Sequence, residues 1–191
     1  MSRVADVHSA AERGAPSTRA ARAASGYPSN RTSHAERIGE PGAVIRHGHD
    51  GLEMVNLRWG FEPLEPTGRP GAALRSEGRS FPTNRCLVPA SEVYLPFDGR
   101  RYRVSLVDGD WFYFAGIWRP ASRTWPASYA VLTIAAGEDV RPLRERQNAV
   151  ILRKDRTAWL EGGDEGLLRP LPKGTFRVER ADSDPRQGHL I

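Results

Sequence analysis

The chain has 191 residues, 39% of them hydrophobic, enough for one modest core rather than several domains. Its formal net charge of +5 and sequence pI of about 9.9 point toward an acidic partner, nucleic acid first among them. The single cysteine, Cys86, excludes an intrachain disulfide and a cysteine-built zinc cage, and no apolar run approaches the roughly 20 residues that span a membrane.

Residues 1–38 are rich in Ala, Arg and Ser, and Val4, Val7 and Tyr27 are their main large apolar groups. Without a sustained 3.6-residue stripe they read as a weakly ordered N-terminal arm, with at most a short helix over 5–13. Asp6 and Glu12 count against an organelle-targeting peptide, and no secretory apolar stretch is present, so the expected setting is cytoplasmic.

From Gly42 onward the texture is that of short strands. Runs at 43–46 and 52–57 flank Asp50-Gly51, a dipeptide that favours a tight hairpin. Further strands are expected at 86–88, 102–106, 111–118, 129–134, 149–152 and 175–178, with Asp108-Gly109-Asp110 turning a second hairpin. One helix is expected over 155–160, capped by Asp155 and stopped by Gly162-Gly163. Many short strands among 19 Gly and 15 Pro predict an α+β, mainly β domain over 39–180, an open β-barrel with a few peripheral helices. Residues 181–191 read as a flexible tail.

Two motifs that resemble chemical sites do not carry one. His47 and His49 alternate beside a turn without a third ligand, so no metal is expected. Cys86 lies within an apolar strand, where a thiol serves as a small buried hydrophobe.

Several ordered blocks carry a family resemblance. They are Pro41-Gly42-Ala43-Val44-Ile45-Arg46 with Arg58-Trp59-Gly60-Phe61, then Leu74-Arg75-Ser76-Glu77 leading to Arg85-Cys86-Leu87-Val88-Pro89-Ala90, then Phe114-Ala115-Gly116-Ile117-Trp118, and finally Pro142 to Gln147 with Trp159-Leu160. Over residues 40–180 the chain resembles the SRAP family, the SOS-response-associated peptidases or abasic-site-processing proteins. The resemblance implies binding of single-stranded DNA that carries abasic sites, during the SOS response. An N-terminal cysteine would form an imine through its α-amine and close a thiazolidine through its thiol. A Glu and a His would move protons, an Asn and an Arg would position the site, and neither metal nor organic cofactor would be needed. The peptidase (hydrolase) name refers to a self-cleavage that exposes the cysteine.

Transferred position by position, that chemistry is largely replaced. Ser2 stands where the cysteine belongs; its α-amine could form an imine, but a hydroxyl closes the ring far less well than a thiol. The Asn position holds Ala73, the Glu position Leu95 and the His position Arg144, and arginine cannot shuttle a proton. Glu92, three residues before Leu95, is on the opposite face of an extended segment. The DNA-facing positions survive better: Arg58, Trp59, Arg75, Ser76, Arg85 and Arg146 match, with arginine forks for phosphate and an aromatic plane for a base. Arg58 could instead pair with a carboxylate such as Glu77.

The expectation is a monomeric SRAP-type protein that binds single-stranded DNA with its crosslinking and peptidase activity lost or attenuated. Two alternatives stay open. One is an active crosslinker that uses Ser2 or a cysteine restored by a different start codon, although neither would mend Ala73, Leu95 or Arg144. The other is a β-barrel module for protein partners, its positive charge incidental.

Overall fold

The structure, a computed structural model, describes residues 38–163 and 165–181. Ser2 and the expected arm up to residue 37 lie outside the described residues, as does the tail from residue 182. Strands follow in chain order as β1 (Pro41–Gly48), β2 (Gly51–Trp59), β3 (Ala73–Arg75), β4 (Arg85–Ala90), β5 (Glu92–Phe97), β6 (Arg100–Leu106), β7 (Phe112–Arg119), β8 (Ser128–Ala135), β9 (Arg146–Asn148), β10 (Val150–Ile151) and β11 (Phe176–Arg180). One α-helix, α1 (Arg156–Leu160), follows a 3-10 turn at Arg153–Asp155, and a second 3-10 turn occupies Glu165–Leu167. The chain is therefore α+β and mainly β.

The strands divide between two sheets. In the larger, β7, β4, β1, β2 and β8 pair in that order, and β8 pairs back onto β7, closing a ring. The joint between β2 and β8 is parallel and confined to Arg58 opposite Ser128 and Trp59 opposite Tyr129. β3 continues along the same edge of β8, while β9 lies on its other edge. The smaller sheet orders β11, β6 and β5.

Side chains alternate along each strand, and in β4, β7 and β8 both faces are buried and apolar. Val88, Phe112, Phe114, Tyr129 and Val131 face one cluster, inside the ring. Leu87, Tyr113, Ala115 and Leu132 face a second, which α1 covers with Trp159 and Leu160. Trp159 is fully buried, and its indole N–H donates to the Cys86 carbonyl at 3.0 Å. A third small cluster joins Leu95 and Val104 of the smaller sheet to Ala136 and Val140.

Two local expectations are corrected. Asp108-Gly109 does turn the chain, with Gly109 at φ 76°, but β6 and β7 enter different sheets and form no hairpin. The hairpin in that region is instead β5–β6, whose loop residues Asp98 (φ 49°) and Gly99 (φ 67°) both take the left-handed conformation that a two-residue primed turn requires. Asp155 immediately precedes α1, yet its side chain makes no capping bond. The 3-10 turn runs straight into the helix, so Asp155 already has helical dihedrals (φ −98°, ψ 0°) instead of the extended geometry from which a cap reaches back. Among the described residues no helix is long and apolar enough to cross a membrane.

Candidate functional site

Ala73, Leu95 and Arg144 come from three separate parts of the chain, and all three line one cavity of about 780 Å3. Its walls are supplied by β3 through β11, and most of the side chains are apolar: Val88, Val93, Phe112, Phe114, Val131 and Phe176 among them. Trp59 also lines it, its indole N–H held at 3.0 Å by the Ala72 carbonyl. The polar groups gather on the β9 side, where Arg144, Glu145, Arg146, Gln147 and Asn148 follow one another.

Register explains this gathering. Thr133 of β8 is opposite Arg75 on one side and Asn148 on the other. Arg146, two residues before Asn148, donates from Nη2 to the Thr133 carbonyl at 2.8 Å and to its Oγ1 at 3.1 Å. Its remaining capacity goes to Glu77 as a fork, Nη1 to Oε1 at 2.9 Å and Nη2 to Oε2 at 2.8 Å. That hydrogen-bonded pairing is the main reason the Glu77 carboxyl is held down at about 2, and it raises the Arg146 guanidinium in return. The Nε of Arg146 is buried and has no acceptor among the described residues.

The other sequence-derived positions divide between surface and interior. Arg75 is exposed, on the same face of β3 as Ala73, and forms no ion pair among the described residues. Ser76 is buried; its Oγ and its backbone N–H both donate to the Thr133 carbonyl, so it fastens the end of β3 to β8. Arg58 does not pair with Glu77, which Arg146 occupies. Its guanidinium lies 4.3 Å over the Trp125 ring, and the Trp125 indole N–H donates to the Gly60 carbonyl. Trp125, which sequence reasoning missed, thus sets the position of an arginine that it had found. The signal was available in Arg58 itself, since an arginine without a carboxylate commonly rests on an aromatic face.

Arg85, expected among the DNA-facing positions, is interior. It is only 5% exposed, and its guanidinium donates to the carbonyls of Phe81 (2.5 Å), Trp159 (3.1 Å) and Gly163 (2.9 Å) while stacking 4.4 Å from the Trp159 ring. Three carbonyls from separate segments, one before β4, one in the last turn of α1 and one just after it, converge on this guanidinium, and the Trp159 ring covers its face.

Among ionisable groups on the cavity wall, Tyr94 is pushed above its ordinary value, first by burial and then by the bond its hydroxyl donates to Glu92 at 3.1 Å. Glu145 is exposed at the rim. Burial pushes the Cys86 thiol far up, in keeping with a buried hydrophobe. His49 is fully exposed beside Asp50, and among the described residues no three His, Cys, Asp or Glu side chains are placed to hold a metal ion.

Comparison with known proteins places this geometry in context. The family model described as SOS response associated peptidase (SRAP) matches residues 15–183. Among solved structures, the chain is similar to a protein from Bordetella bronchiseptica with a TM-score of 0.63 at 22% identity, covering 76% of this chain and 85% of that one. A protein from Bacteroides thetaiotaomicron gives 0.58 at 17% identity, covering 79% and 78%. A phage-related protein from Bordetella bronchiseptica gives 0.59 at 16% identity, covering 76% and 79%. At such identities these likenesses concern the fold alone. No curated protein matches the sequence.

Proposed function

Since the chain belongs to the SOS response associated peptidase (SRAP) family, and so to proteins of the DNA-damage response, we propose that it binds single-stranded DNA, abasic or intact, and has lost the family's crosslinking and peptidase chemistry. One observation carries this reading. The positions where the resemblance puts the family's Asn, Glu and His converge on a single cavity wall as Ala73, Leu95 and Arg144. A general acid–base pair is typically worth about 10²–10⁴-fold in rate. An alanine, a leucine and an arginine at those places supply none of it, and position 2 offers a hydroxyl in place of a thiol.

Binding asks less of the site than catalysis does. Arg75 on β3 and Arg58 on β2 follow one another along the same edge of β8, and neither is neutralised by a carboxylate among the described residues. Such guanidinium groups suit phosphates, and the Trp125 plane beneath Arg58 and the partly exposed Trp59 suit stacked bases. Arg146 contributes less, because Glu77 already holds its fork. The protein works in this reading as a cytoplasmic monomer.

The test uses fluorescence anisotropy with a labelled single strand across a salt series. Each phosphate contact adds about 0.7 to the slope of log affinity against log salt, so Arg75→Ala should weaken binding and flatten the slope by about that amount. Unchanged affinity in Arg75→Ala and Arg58→Ala together would remove the DNA reading. Incubation with an abasic single strand followed by denaturing electrophoresis should give no shifted band; a covalent band would restore an active crosslinker.

A further inference from the structure

We propose that the cavity beneath the replaced positions binds a small amphipathic carboxylate, with its apolar body against the partly exposed apolar side chains of the wall and its head at the arginine rim. Volume comes first. At about 780 Å3 the cavity is within the range of sites that enclose a drug-sized molecule. It also exceeds what a single stripped sugar would need.

The lining decides the chemistry of the body. Val93 and Phe176, both partly exposed, present no hydrogen-bonding side-chain atom, and behind them Val88, Leu95, Phe112 and Phe114 are packed into the core. Tyr94, whose hydroxyl is committed to Glu92, adds a ring face. An apolar chain or ring system gains from leaving water for such a wall, whereas a sugar or phosphate would leave polar groups unpaired.

The rim decides the head. Arg144 is exposed, lines the cavity and has no carboxylate partner among the described residues. Arg146 lines it too, and its buried Nε has no acceptor among them. Beside Arg144 this second guanidinium adds to the positive field that an anionic head would meet. Glu145 supplies the one carboxylate on the wall, so the head must settle on the arginine side. This inference stands apart from DNA binding: Arg75 and Arg58 are not needed for it.

Isothermal titration of the full chain with octanoate, and with neutral octanamide as control, tests the assignment. Octanoate should bind at one site, and octanamide about tenfold more weakly, because it forfeits a charge-assisted contact. Arg144→Gln should bring octanoate down to the octanamide level and leave octanamide unchanged. Ala73→Trp, at an exposed edge-strand position on the wall, should weaken both. Absence of saturable octanoate binding, equal affinity for the two probes, or indifference to Arg144→Gln would each overturn the proposal. If Ala73→Trp proves misfolded by circular dichroism, the charge comparison in Arg144→Gln still decides. Octanoate binding without DNA binding would sink the DNA reading alone, and the reverse result would sink this one alone.

Discussion

Replacing Arg85 by alanine should unfold the protein well before any surface arginine does. The substitution removes three hydrogen bonds from a charged donor to the carbonyls of Phe81, Trp159 and Gly163, and uncovers the face of Trp159. Hydrogen bonds to charged groups are worth about 1.5–3 kcal/mol each. Returning the guanidinium to water gives back several kcal/mol of its burial cost, so the net loss falls to about 3–4 kcal/mol. For a domain of this size each kcal/mol moves the melting temperature by about 3 °C, giving a drop of about 10 °C. Arg75→Ala, by contrast, should stay within about 0.5 kcal/mol of the parent. Arg85→Lys should lie between, since one ammonium cannot span three carbonyls or stack as a plane. Urea denaturation read by tryptophan fluorescence and circular dichroism measures all three. An Arg85→Ala protein as stable as the parent but weakened in DNA affinity would refute the reasoning and return Arg85 to the surface.

Glu77 is held at about 2 in the fold against 4.5 when free, so its contribution is complete above about pH 4.5 and is lost as pH falls toward 2. Because the carboxylate is half exposed, the amount is below about 1 kcal/mol; the stability gap between parent and Glu77→Gln should be present at pH 7 and shrink across that window, and a constant gap would contradict the pairing. The same variant frees Arg146 and should steepen the salt dependence of DNA binding by about one phosphate contact, where no change would tell against Arg146 as a masked contact. A methyl on Gly116 would come within 2.9 Å of the Cys86 sulfur and 3.2 Å of the Ala130 carbonyl. Gly116→Ala should therefore cost about 1–3 kcal/mol, partly recovered in the Cys86→Ala double variant; strict additivity would deny the contact. Cys86 should react with a thiol reagent only at the rate of global unfolding, and rapid labelling of the native protein would show the thiol to be reachable.

The sequence made β7 and β8 legible because burial on both faces writes uninterrupted apolar runs, as in residues 112–117 and 129–132. β3 and β9 are three residues long and carry Arg75, Arg146 and Asn148, too short and polar to leave a pattern. β5 was hidden by Glu92 and Pro96. It is an edge strand with only β6 beside it, where a proline is tolerated. The cavity could be anticipated only through the resemblance, since no local feature relates Ala73 to Leu95 or Arg144. Arg85 went the other way: arginine is ordinarily a surface residue, and carbonyls 74 and more residues along the chain, at Trp159 and Gly163, hold it inside.

The parallel joint of the ring has a mechanical consequence. The β1–β2 hairpin is zipped internally from Pro41 opposite Arg58 to Gly48 opposite Gly51, but among the described residues its outer edges pair by backbone register only at Ile45–Arg46 to β4 and at Arg58–Trp59 to β8. Such an element opens as a unit, below the free energy of global unfolding. In hydrogen exchange the amides of Arg58 and Gly60, bonded to Ala127 and Tyr129, should release their protons together and well ahead of Ala115, which is bonded to Ala149 behind the ring. The hairpin would then be a hinged panel, and the space it helps enclose would breathe through the backbone itself.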